Sequence, residues 1–447
     1  MTQPQTQESL IEVKEKPRMV EWAFLVGLCH PREDVEHVEE LLDELADLTD
    51  TLGVQVVGRT MARLRKPRSR YLLGEGKADE ISEMARQAGA DVVILDDELS
   101  PSQQRNWEAR TKLAVIDRQE VILDIFAKHA RTREAELQVA LARSKYDLPR
   151  LKRRWTHLHR QRGMAGGQGM RGEGEQQLEV DARLVRKRIQ ALERQLDEVR
   201  RQRHTQSKRR NRQAVPQGAI VGYTNAGKST LLNALSGADV YTENKLFATL
   251  DSTVRRVTMN SRTLLLSDTV GFIRKLPHQL VEAFHSTLQE AIEADFLIEV
   301  MDVTSESVDE HHQTTREVLQ ELGAWGKPVI PVFNKLDQLK DPFRVRRLRR
   351  HYPDAVFLSA KTGGGMQELS DRLAEEAWRR AEETTCLIPH RRYDLVSYLH
   401  READVLQEEH ESEGVRMTVA ASPGVLRSVE EYREAVSDGA EENCQGE

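Results

Sequence analysis

The 447-residue chain is about three times the length of a ~150-residue domain, so it must hold several hydrophobic cores. Its 66 Lys/Arg and 73 Asp/Glu leave a net charge of −7, and with 38% hydrophobic residues, 26 Gly and 14 Pro the composition is globular, neither disordered nor fibrous. No run approaches the ~18 consecutive apolar residues of a spanning helix, and residues 1–16 lack the apolar core of a secretion signal, so a cytoplasmic protein with no integral membrane association is expected. Cys29, Cys386 and Cys444 are far apart and show no CxxC spacing, which excludes a disulfide framework and gives no zinc signature.

After a flexible stretch over 1–20, residues 21–118 alternate short apolar runs (WAFLVGLC, LGVQVVG, DVVILDD, LAVID) with charged helical stretches. That rhythm predicts a small α/β domain with a mainly parallel sheet. Its GEGKAD segment lacks phosphate-loop spacing and reads as a turn before a helix.

Residues 119–213 read as an uninterrupted helix, a glycine-dense break and a second long helix. Leu137, Leu141, Ser144, Leu148, Leu151, Trp155 and Leu158 fall at alternating steps of four and three, as do Leu178, Ala182, Val185, Ile189, Leu192, Leu196 and Val199. These are coiled-coil seams. Folding one onto the other about Gln168 pairs Leu137 with Val199 and Leu158 with Leu178 in a single register, so an antiparallel hairpin is predicted, with Pro149 bending its first arm. The tip, residues 163–174, holds six glycines in twelve residues. Between Arg143 and Arg212 there are 21 Lys/Arg against 8 Asp/Glu, a net +13 that leaves −20 on the rest of the chain. A basic rod in an acidic protein is the footprint of a polyanion binder. Lys152, Arg153, Arg154, Arg162, Arg171, Arg186, Lys187 and Arg188 are the candidate nucleic-acid contacts.

Residues 214–380 carry the chemistry. Gly222, Tyr223, Thr224, Asn225, Ala226, Gly227, Lys228 and Ser229 spell GxxxxGKS between an apolar strand and an amphipathic helix that continues with Thr230. In such a loop successive N–H groups and the helix N-terminus surround phosphates, the lysine reaches the β and γ groups, and the serine hydroxyl ligates magnesium. LLLSDTVGF places Asp268 at a strand end, where it can hold magnesium through water, with Gly271 offering its N–H to the γ-phosphate. Asn334, Lys335 and Asp337 follow one further strand, and Ser359, Ala360 and Lys361 another. Asp337 can accept from the two donors on the guanine edge, where adenine offers an acceptor, so the nucleotide should be GTP, with GDP as product. In LFATLDST both Thr249 and Thr253 suit the remaining magnesium position on chemistry alone. Phe272 stands where many GTPases place a water-orienting glutamine, so intrinsic hydrolysis should be slow.

Residues 384–436 read as strand, helix through Leu406, strand and short helix, a small α+β domain followed by an acidic tail over 437–447. Altogether the fold class is α/β: a phosphate-loop GTPase domain preceded by a small α/β domain and a helical hairpin, and followed by a small α+β domain.

LFATLDST resembles the first switch of the Obg and HflX branch of translation-factor GTPases. YLLGEGKADEI, LSPSQQRNWEAR, the segment from Val115 to Leu151 and GQGMRGEGEQQLEVDARLVRKRI resemble the HflX family of ribosome-associated GTPases over about residues 22–380. The resemblance implies that Thr249 is the magnesium-binding threonine and catalytic together with Lys228, Gly271 and Asn225, with Phe247 beside the nucleotide. It also makes Asn225 a candidate ligand for potassium, since potassium-dependent relatives of this class place an ion ligand there. It further implies a monomer that binds the large ribosomal subunit and its RNA rather than DNA, splits or rescues stalled ribosomes under stress, or acts in subunit biogenesis. The tip departs from the family's TRGPGETQ: Met170, Glu173 and Gln176 replace Thr, Pro and Thr. An effector-binding switch is the alternative class, but it has no use for the +13 rod, and the end of the chain, NCQGE, carries no prenylation box. A structural RNA binder with a dead nucleotide loop is countered by intact Lys228, Ser229, Asp268 and Asp337.

Overall fold

The computed structural model describes residues 20–31, 33–64, 69–162, 171–211, 215–237, 246–247, 250, 253–259, 262–275, 288–378, 382–421 and 423–433. The chain divides into two compact units, Met1–Asp124 and Ile125–Glu447.

In the first unit β1 (Trp22–Cys29), β2 (Gln55–Arg63), β3 (Val92–Leu95) and β4 (Ala114–Asp117) form a fully parallel sheet in the order β2-β1-β3-β4. Helices α1 (Val35–Leu52), α2 (Glu75–Gln87) and α3 (Pro101–Thr111) make the crossovers, as the alternating apolar and charged segments predict. Ser100 and Gln103 close a reciprocal capping box that starts α3. At the carboxyl end of the sheet Arg118 is buried between Asp96, at 2.7 Å, and Glu44.

The helical stretch after β4 is interrupted. Helix α4 (Arg118–His129) ends, and α5 (Arg133–Arg162) starts afresh at Thr132, whose hydroxyl accepts from Ala135 N–H at 3.2 Å. A threonine cap supplies an acceptor for an orphan helical N–H, which offsets the cost of breaking the run. Helix α5 continues through Pro149, and α6 (Arg171–Asn211) runs 41 residues, about 61 Å at ~1.5 Å per residue. Gly172 and Gly174 therefore belong to the first turns of α6 rather than to the tip. Residues 163–170 lie outside the described residues. The hairpin register agrees with the seams: Leu137, Leu141 and Leu196 are buried together, with Ile189, Leu192 and Val199 packed on them. Lys145 reaches Glu193 across the two arms at 3.5 Å.

The central sheet has six strands in the order β10-β9-β8-β5-β7-β6: β5 (Gln217–Gly222), β6 (Thr253–Met259), β7 (Arg262–Asp268), β8 (Phe296–Asp302), β9 (Val329–Asn334) and β10 (Val356–Phe357). Only β6 against β7 is antiparallel. Helices α7 (Lys228–Ser236), α8 (Gln289–Glu293), α9 (Val308–Glu321), α10 (Pro342–His351) and α11 (Met366–Trp378) accompany it. One core packs Leu231, Leu232, Ile298, Val300, Leu369 and Leu373, and a second packs Met301, Phe333, Leu348 and Phe357.

The last segment is a three-stranded antiparallel sheet, β11 (Glu382–Pro389), β13 (Gly414–Ala421) and β12 (Asp404–His410), with α12 (Tyr393–Glu402) and α13 (Pro423–Arg427). The helix expected to reach Leu406 stops at Glu402, and the following residues are an edge strand. Its polar QEEH sequence hides the alternation, and a register shift between Val405 and Gln407 breaks it.

Candidate nucleotide-binding site

The motifs at 222–229, 268–272, 334–337 and 359–361 all follow carboxyl ends of parallel strands: β5, β7, β9 and β10. In an open α/β sheet that edge is where ligands sit. Residues far apart in sequence are thereby brought together.

Gly227 and Asn334 join two of these loops. Asn334 donates from Nδ2 to the Ala226 carbonyl at 3.0 Å and accepts at Oδ1 from the Ala360 N–H at 2.9 Å. One buried amide thus ties the phosphate loop, the loop after β9 and the loop after β10. Gly227 has φ +93, and a Cβ there would lie 2.3 Å from Asn334 Nδ2, so both backbone conformation and close approach demand glycine. Neighbouring Asn225 is exposed with φ +57, a conformation that asparagine tolerates better than most side chains.

Lys228 is buried at the start of α7 and donates to the carbonyls of Gly222, at 3.1 Å, and Tyr223, at 2.7 Å. Desolvation pushes its ammonium down to about 8, against the opposing pull of Asp268. A phosphate bound there would restore the charge, so nucleotide affinity is expected to fall as pH rises above about 8, when the free protein's lysine is already neutral. Calorimetric titrations with GDP at pH 7 and pH 9 check this; equal affinities would remove Lys228 from the phosphate site. The Thr224 hydroxyl is buried with no hydrogen-bond partner among the described residues, a donor that a phosphate oxygen would satisfy.

Ser229 Oγ lies 2.5 Å from Asp268 Oδ2, and Asp268 is 1% exposed. A hydroxyl and a carboxylate converging beside a phosphate loop are hard oxygen donors that fit a magnesium ion. Thr269 Oγ1 donates to the Ile220 carbonyl at 2.7 Å and holds the end of β7 on β5.

Beyond Asp268 the chain lies against the phosphate loop. Phe272 N–H donates to the Gly222 carbonyl at 3.1 Å, and its carbonyl accepts from Thr224 N–H at 2.8 Å. A Cβ on Gly271 would come within 2.9 Å of Lys228 Nζ and 2.7 Å of the Thr224 side chain, so only glycine permits this approach. The Phe272 ring is buried and offers no polar group to a water. Tyr223, by contrast, accepts at its hydroxyl from Arg274 N–H at 2.8 Å and stacks on His311 at 3.7 Å. Sequence reading counted Tyr223 among the loop's backbone donors; this side-chain link to the segment after Gly271 had no sequence signal.

At the base-recognition end Asp337 accepts from Ser359 Oγ at 2.5 Å, and the Ser359 oxygen also accepts from Thr362 N–H at 3.2 Å. Asp337 is exposed in the chain alone. Lys335, at φ +65, pairs with Asp302 at 2.8 Å, while Lys361 is exposed. Phe247 is buried edge to face on Phe126 of α4, with centroids 4.6 Å apart. Thr249 lies outside the described residues, and Thr253 is exposed at the start of β6. Of the RNA candidates, Arg186, Lys187 and Arg188 are exposed on α6. The side chains of Lys152, Arg153, Arg154, Arg162 and Arg171 lie outside the described residues.

The profile of the GTP-binding GTPase N-terminal family matches residues 39–127, that of the GTP-binding GTPase middle region residues 129–210, and that of the 50S ribosome-binding GTPase family residues 217–335. The chain is 47% identical over 433 residues to a GTPase HflX of Akkermansia muciniphila, covering 95% of this chain and 99% of that protein. It is 42% identical over 377 residues to the GTPase HflX of Escherichia coli K12, covering 84% and 88%. Among solved structures, a GTP-binding protein from Sulfolobus solfataricus in complex with GDP is 26% identical over 80% of this chain and 99% of that one, with a TM-score of 0.42.

Proposed function

The chain belongs to the HflX family of GTPases, and from that premise we propose that this GTP-hydrolysing enzyme works on the large ribosomal subunit in the cytoplasm, splitting or rescuing stalled ribosomes. The observation that carries the reading is the attachment of a basic helical hairpin, by way of Asn211 and β5, to the strand that delivers the phosphate loop. A rod with a net +13 fits ribosomal RNA, and the family profile over residues 217–335 is that of a 50S ribosome-binding GTPase.

Within this reading Lys228 and the N–H groups of residues 222–229 hold the β- and γ-phosphates, and Asp337 with Ser359 reads guanine. Ser229 and Asp268, with Thr249, would hold magnesium, which when bound neutralises phosphate charge as the terminal P–O bond breaks. The Gly271 N–H would donate to the γ-phosphate. Because Phe272 cannot orient water, turnover stays slow until a group from the ribosome supplies that role.

Sedimentation with large subunits tests the proposal. Binding is expected with a non-hydrolysable GTP analogue and is expected to weaken with GDP; no binding in either state would overturn it. Replacing residues 163–170 with a short turn should leave intrinsic hydrolysis within about twofold, since a helix of about 61 Å separates them from β5. Ribosome-stimulated hydrolysis should fall steeply. Equal losses of both activities would refute the division of labour between tip and nucleotide site.

Asn225 further gives potassium a place beside the phosphates. Hydrolysis should be faster in potassium than in sodium, and the difference should vanish in Asn225→Gly, which keeps the positive φ without strain. A potassium effect that survives the substitution would refute the assignment.

A further inference from the structure

Helix α10 carries a second basic surface that neither the nucleotide site nor the hairpin uses. Its sequence, PFRVRRLRRH, is started by Asp341, whose side chain accepts from Phe343 N–H at 2.9 Å, and by Pro342 in the first turn. Val345, Leu348 and Tyr352 recur at helical spacing and pack against the core around Phe333 and Phe357. Two of the arginines are engaged within the fold: Arg344 donates to the Ser305 carbonyl, and Arg349 lies over the Phe357 ring at 5.1 Å. The solvent stripe is different. Phe343, Arg346, Arg347 and Arg350 fall at i, i+3, i+4 and i+7, all exposed, with Phe343 70% exposed.

Among the described residues no carboxylate pairs with Arg346, Arg347 or Arg350, although the chain carries 73 acidic residues. Some surface arginines elsewhere have one, Arg59 with Asp43, Arg70 with Glu75, Arg372 with Glu375 and Arg392 with Asp394, while among the described residues Arg63, Arg391 and Arg427 do not. What sets α10 apart is three such arginines on one face beside an exposed aromatic. The helix also sets like charges four apart, Arg346 and Arg350, where they repel each other. The helix dipole accounts for cations in the last turn, but not for Arg346 and Arg347 nearer its middle. An exposed aromatic beside unpaired guanidinium groups, with Arg346 at 5.9 Å from the Phe343 ring centroid, matches what an unpaired base flanked by phosphates requires: a stacking face and cations on either side.

We propose that this face of α10 is an RNA-binding surface in which Arg346, Arg347 and Arg350 contact phosphates and Phe343 stacks an unpaired base. The identity of that RNA as ribosomal rests on the function proposed above, but the binding chemistry does not.

The test uses the full-length protein and a fluorescein-labelled RNA stem-loop with an unpaired loop, read by anisotropy across a salt series. In R346A/R347A/R350A affinity should fall about tenfold or more, and the slope of log affinity against log salt should drop by about 2 to 3, as expected for three lost phosphate contacts. GTP hydrolysis without ribosomes should be unchanged, because none of the three lies at the nucleotide loops. Phe343→Ala should weaken the stem-loop more than a blunt duplex of the same length. Parent affinity and slope in the triple variant would overturn the proposal. So would a triple variant that binds the stem-loop normally yet no longer sediments with large subunits, since that result assigns the face to an acidic protein. If the parent protein fails to bind large subunits at all, the ribosomal function falls while the stem-loop measurement still decides this one.

Discussion

Asp337→Asn is expected to reverse the base preference of the enzyme, lowering its preference for GTP over xanthosine triphosphate by about 10⁴-fold or more. The carboxylate presents only acceptors, and guanine offers donors at N1 and at the 2-amino group. An amide in its place turns one acceptor into a donor and sets it against the 2-amino group, leaving two donors face to face under a covering base. Xanthine carries a carbonyl at that position and accepts from the amide. The geometry makes the substitution clean, because among the described residues the Asp337 side chain takes one hydrogen bond, from the Ser359 hydroxyl at 2.5 Å, which an asparagine oxygen still receives. Competition of GTP and xanthosine triphosphate for the variant, measured by displacement of a fluorescent nucleotide, reads the result. Retained GTP affinity with no gain for xanthosine triphosphate would remove Asp337 from the base site.

Much of this site is legible in the residue order because each element follows a strand of the same sheet. A buried parallel strand is a short apolar run, and the loop after it is forced to the carboxyl edge, so GxxxxGKS, DTVGF, NKLD and SAK announce their position at that edge. The hairpin is legible for a similar reason: its seam repeats over three heptads, and the burial of Leu137 and Leu141 with Leu196 follows the predicted pivot. What escapes reading depends on single local contacts or on distance in sequence. The break at 130–132 turns on one Thr132 cap, a contribution of about 1 kcal/mol that periodicity does not register. Strand β12 lies at a sheet edge with a polar sequence and a register shift, so it shows neither a buried run nor clean alternation. Asn334 is recognisable as a nucleotide-site residue, but its staple to Ala226 spans 108 positions. The Tyr223 hydroxyl bond to Arg274 likewise exists only once β5 and β7 lie side by side.

Lys228→Met separates the chemical role of the phosphate loop from its contribution to the fold. Turnover should fall about 10³-fold or more, because a preorganised cation at developing phosphate charge is lost. A structural lesion would also abolish turnover, so the second readout is the melting temperature of nucleotide-free protein. Burial lowers the Lys228 pKa from 10.5 to about 8, and the unfolded chain therefore binds more protons than the folded one between those values. Stability of the free protein should then rise with pH across that window, and near pH 7 the buried ammonium costs about 3 kcal/mol at ~1.4 kcal/mol per pH unit. Methionine keeps most of the volume and removes the charge, so the nucleotide-free variant should melt no lower than the parent and lose the stability gain between pH 8 and 10.5. GDP should raise the melting temperature of the parent and barely that of the variant. A variant that turns over GTP at the parent rate would disprove the phosphate assignment. A variant that melts lower than the parent without nucleotide would show instead that the carbonyl contacts to Gly222 and Tyr223 hold the loop, and that Lys228 is a structural element first.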